Sequence, residues 1–143
     1  MSQYATISTR SGAGELPPEL DPDGEGLIYG CNVSDYWDQL EAAAKELGIP
    51  SLRTFYYQDP EFFRELGKQP PVQKEWHTPE DGLKTVAALL EFLRRPDQPR
   101  VCAIFGDDFP DENQKWVIWD LTAYEAILKT AVQQSDPFRI EIC

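Results

Sequence analysis

Asp21, Asp23 and Glu25 stand at alternate positions ahead of Gly26, Leu27 and Ile28. Calcium-binding loops set oxygen ligands at the first, third and fifth positions. A glycine for the sharp turn, a backbone carbonyl ligand and an aliphatic residue follow. Hard carboxylate oxygens gathered around a hard cation are sound chemistry, and the segment is a candidate for calcium or magnesium. Two departures weaken the match. The twelfth position is Asn32 where a bidentate Glu is needed, and Leu16-Pro17-Pro18 does not suit an entering helix. The plain alternative is a solvated acidic turn.

A second acidic stretch, Gly106-Asp107-Asp108-Phe109-Pro110-Asp111-Glu112, lies just before Trp116. Carboxylates rimming aromatic anchors are a common interface design. Asp107, Asp108, Phe109, Asp111, Glu112 and Trp116 are therefore the expected partner-binding residues. The competing reading is an ordinary connecting loop, kept soluble by its charge.

His77 is the chain's one histidine, flanked by Trp76 and Thr78. A general base needs a nucleophile and an orienting acid within reach. Glu75, Glu80 and Asp81 are near in sequence, but no spacing ties His77 to Cys31 or Cys102. An enzyme centred on His77 is a secondary reading, and no catalytic residue is assigned. Ser11-Gly-Ala-Gly14 lacks the lysine of a phosphate-binding loop and reads as a hinge. The three cysteines, Cys31, Cys102 and Cys143, form neither a disulfide framework nor a zinc spacing, so free thiols are expected.

The elements that must position these residues follow from periodicity and punctuation. Residues 4–9 alternate as a strand. Residues 10–32 are rich in Gly, Pro and acid and read as one long loop. Ser34 is placed to cap a helix over 35–47, with Tyr36, Trp37, Leu40, Ala43, Ala44 and Leu47 on its apolar face and Gly48 as its stop. Residues 54–57 read as a strand. Asp59-Pro60 opens a short helix carrying Phe62, Phe63 and Leu66. Thr78-Pro79-Glu80-Asp81 opens a longer helix through Leu93, stopped by Pro96. The apolar run 101–105 and the segment 116–119 read as strands, the second with Trp116 and Trp119 on opposite faces. Thr122 and Glu125 form a capping box for another helix. Phe138, Ile140 and Ile142 alternate as a last strand. The expected architecture is a single α+β domain, a mostly antiparallel sheet of about five strands with three main helices packed on it.

Composition bounds the function. The chain of 143 residues carries 25 acidic and 13 basic residues, a formal net charge of -12. Such a field disfavours nucleic acid and anionic membranes and favours a cationic partner. No run approaches a membrane span and no leader pattern opens the sequence, so a cytoplasmic location is expected. In size, charge and mixed class the chain resembles the small acidic immunity proteins that neutralise bacterial toxins. That resemblance implies a stoichiometric inhibitor whose acidic face meets a basic toxin. The leading expectation is thus a non-enzymatic protein-binding module without a cofactor, and the second is a calcium- or magnesium-responsive module using residues 21–32.

Overall fold

A computed structural model describes residues 5–12, 30–94, 98–106, 109 and 113–142. In chain order these form strand β1 (Ala5–Thr9) and helices α1 (Cys31–Asp35) and α2 (Trp37–Leu47). A 3₁₀ turn (Leu52–Phe55) leads to α3 (Pro60–Glu65), α4 (Pro79–Arg94), α5 (Gln98–Phe105) and α6 (Asn113–Gln134). Strand β2 (Phe138–Ile142) comes last. The described chain is mostly helical, and its sheet has two antiparallel strands. This overturns the expected sheet of about five strands under three helices.

The corrections have local causes. The apolar run 101–105 is the body of α5: Val101 and Phe105, four apart, are buried, while Ala103 is exposed. A run of five apolar residues fits a helix turn as well as a strand. Residues 116–119 belong to α6. There Val117, Leu121, Tyr124, Leu128 and Ala131 recur at intervals of four and three, so one buried stripe runs through the expected strand and on past it. Trp116 and Trp119 are accordingly one helical turn apart rather than on opposite faces. Thr122 sits inside α6, where its hydroxyl donates to the Ile118 carbonyl at 2.7 Å, and Glu125 pairs with Lys129. No cap exists there. Residues 54–57 pass from the 3₁₀ turn into a single bridge, Tyr56 beside Ile140. Ser34 lies within α1, and α2 starts only after the bend at Tyr36.

Other expectations hold. Asp59 caps α3 by accepting the Glu61 N–H at 2.9 Å, with Pro60 in the first turn. Gly48 ends α2 in the left-handed region, its N–H turned back to the last carbonyls. β1 and β2 pair with Ile7 opposite Ile140 and Thr9 opposite Phe138.

β2 is the hinge of the fold. One edge carries β1. On the other, His77 exchanges two backbone hydrogen bonds with Phe138, and Tyr57 N–H donates to Ile140 O at 2.9 Å. Beneath it, α4 packs along α6 and fills the core with Val86, Leu89, Leu90 and Leu93 from one helix and Leu121, Tyr124 and Leu128 from the other. Each such side chain contributes about 1.5–3 kcal/mol of transfer free energy. Two glycines let neighbouring groups close in on the backbone. Gly30, at φ 94°, lies against the Ala5 carbonyl, and Gly82 lies against the Phe138 ring; a Cβ at either would collide.

Candidate interaction surface

Asp21, Asp23, Glu25, Asp107, Asp108, Asp111 and Glu112 lie outside the described residues, as does Cys143. Phe109 is core: it is 2% exposed, stacks on Phe105 at 4.3 Å between centroids and meets Tyr36 edge-on at 4.9 Å. It is no surface anchor. Trp116 is on the surface of α6 at 47% exposure, with the Lys115 ammonium 5.5 Å from its ring. Among the described residues no group of three or more His, Cys, Asp or Glu side chains is arranged to hold a metal ion. No described helix is long and apolar enough to cross a membrane.

His77 is fixed by its backbone pairing with Phe138 and by its ring, which stands edge-on to Phe55 at 5.3 Å. Burial holds its pKa below the usual 6.5, and the Lys74 ammonium adds to this while Asp81 opposes it. Neither Cys31 nor Cys102 lines the cleft around it, whose hydroxyl-bearing residues are Thr78 and Ser135.

The structure instead draws attention to residues 58–75. Tyr56 OH donates to the Gln58 side chain, Gln58 N–H donates to Gln73 Oε1 at 3.2 Å, and Gln73 Nε2 donates back to Gln58 O. These bonds close the neck of an excursion that carries α3. No residue of α3 is buried. Phe62 is 47% exposed and Leu66 55%, and Val72 stands free of neighbours. The Phe62 and Phe63 rings meet edge-on at 5.5 Å. Three large apolar side chains of this one excursion, Phe62, Leu66 and Val72, are thus exposed to solvent.

Beside the neck runs a groove of about 370 Å³ lined by Tyr57, Asp59, Glu75, Arg139 and Glu141. The Arg139 guanidinium lies 4.3 Å from the ring centroids of both Tyr57 and Trp76. It also pairs with Glu75 at 3.3 Å and Glu141 at 2.7 Å. One cation thus faces several carboxylates, and the groove keeps a negative surplus. On α3 itself Glu61 pairs with Arg64.

The sequence showed that 62, 63 and 66 share a helix. It could not show that Phe62 and Leu66 stay exposed, because that depends on where the rest of the chain goes. Compared with family models, curated proteins and solved structures, the chain matches none.

Proposed function

We propose that this chain is a non-enzymatic binding module for a cationic protein, docked through α3 and the acidic groove at its base. The observation that carries the reading is the exposure of Phe62, Leu66 and Val72 on an excursion closed at its neck. Phe62 on α3 and Leu66 just past its end, four apart, act as anchors that partner contact removes from water. Asp59, Glu75 and Glu141 supply the charged rim. The net charge of -12 disfavours a second copy of the same chain as occupant and attracts a basic one. Stoichiometric inhibition of a basic toxin is the specific form that size and charge balance support.

The test uses the tagged chain and its Phe62→Ala/Leu66→Ala variant as baits in lysate of its own source at low salt, each eluted by a salt gradient. The expected result is one basic protein, released by salt from the wild type and not retained by the variant. Equal retention by both baits would remove α3 from the interface, and a bare eluate at low salt would overturn the binding reading.

A further inference from the structure

A second concavity has the Trp76 segment in its lining and no residue of α3. It is a cleft of about 380 Å³ between the start of α4 and the end of α6. Its walls are set by the fold. Pro79 is buried at the head of α4. Ser135 is held at φ 51° just past α6, and the next residue, Asp136, is anchored to Ser11 through both carboxylate oxygens. His77 is held by β2 as described. These walls are already placed, so they need no ordering on binding.

The chemistry of the lining is mixed in a particular way. Lys74 and Glu80, of opposite sign, both face the cleft, yet neither is held in an ion pair among the described residues. The His77 imidazole makes no hydrogen bond to any described residue. Its lowered pKa leaves it neutral at physiological pH, with one N–H to donate and one lone pair to accept. Trp76, Pro79 and Pro137 give the cleft its apolar surface. A purely anionic ligand would meet Glu80, and a purely cationic one would meet Lys74. Both charges are satisfied only by a ligand that carries both signs.

We propose that this cleft binds a small zwitterion, an α-amino acid with an apolar side chain. Lys74 meets the carboxylate, Glu80 and the His77 lone pair meet the ammonium, and Trp76 with the two prolines receives the side chain. This site is separate from the α3 surface and stands or falls independently of it.

The probe is L-leucine, titrated into the full chain and followed by the imidazole resonances of His77, which are unique because the chain has one histidine. Leucine amide, which keeps only the ammonium, and 4-methylpentanoate, which keeps only the carboxylate, are titrated in parallel. The expected result is a saturable shift with leucine and binding roughly fivefold weaker for each analogue, as exposed charge pairs allow. Lys74→Gln should then bind leucine no better than the wild type binds the amide, and Glu80→Gln no better than it binds 4-methylpentanoate. Both positions are exposed, so the variants keep the fold. No saturable shift, equal binding of all three probes, or undiminished binding by the two variants would overturn the proposal.

Discussion

Asp120 is the residue whose chemistry is most at odds with its surroundings. It is fully buried in α6. One carboxylate oxygen accepts the N–H groups of Asn32 at 2.9 Å and Val33 at 3.1 Å, docking α1 onto α6, and Oδ1 has no hydrogen-bond partner among the described residues. Burial raises its pKa above the ordinary 3.8, against the pull of those N–H donors. Because the folded value is the higher one, the folded chain holds a proton that the unfolded chain has lost in the window from 3.8 up to the folded value. Stability from this group therefore falls as pH rises through that window, and the full cost is present above it. Asp120→Asn keeps an acceptor for both N–H groups and removes the buried charge. Urea melts should show the variant more stable than wild type by about 1 kcal/mol at neutral pH, with the difference shrinking at acid pH. A variant less stable at neutral pH would mean that the charge itself holds α1 in place. Gly82 gives an independent test of packing. Alanine is the better helix former by about 1 kcal/mol, but its Cβ would strike the Phe138 ring, itself fully buried. Gly82→Ala should lose about 1–3 kcal/mol in the same assay.

At the scale of elements, α3 and α6 bracket what the fold needs. α3 contributes no buried side chain, so Phe62→Ala/Leu66→Ala should leave stability within about 0.5 kcal/mol of wild type. Leu121→Ala, in the middle of the α6 stripe, should cost about 2–5 kcal/mol by thermal or chemical melting. Thr122 separates two accounts of the same segment. A helix cap lost to alanine costs about 1 kcal/mol, whereas a hydroxyl that donates back to Ile118 and accepts from the exposed Arg94 guanidinium at 3.1 Å is worth less, so Thr122→Ala should cost under about 0.5 kcal/mol. The sequence announced elements well where a terminus carries its own chemistry: Asp59-Pro60, Thr78-Pro79 and Gly48 act within one turn of the backbone. It misled at 101–105 and 116–119, where short apolar runs were read in windows too narrow to show a period of three to four. Taken over its 22 residues, α6 carries a continuous stripe from Val117 to Ala131 that only a helix can bury. The α3 surface was half legible. The shared face of Phe62 and Leu66 follows from spacing, but its exposure follows only from the path of the other elements. The demotion of Phe109 from anchor to core has the same origin, since its place depends on Phe105 and Tyr36 arriving beside it.

Across the whole molecule the field of the excess carboxylates and the apolar patch act on different steps of association. Charge acts at distances up to the Debye length, about 10 Å at 0.1 M salt, and so governs how fast a basic partner arrives. Phe62 and Leu66 act only on contact, once water has been expelled, and so govern how long it stays. The two contributions can be separated on a captured partner by surface-based kinetics. Raising salt, or replacing the exposed Glu65 at the end of α3 by lysine, should slow association while leaving dissociation nearly unchanged. Phe62→Ala should leave association within a fewfold of wild type and speed dissociation by about tenfold or more, the scale of a well-packed anchor. If association proved indifferent to salt while Phe62→Ala still hastened release, the negative charge would serve solubility alone and α3 would recognise shape and apolar surface. If the reverse held, with a steep salt dependence and no effect at Phe62, the partner would be held by the carboxylates of the groove beside Arg139, and the apolar face of α3 would lie outside the contact.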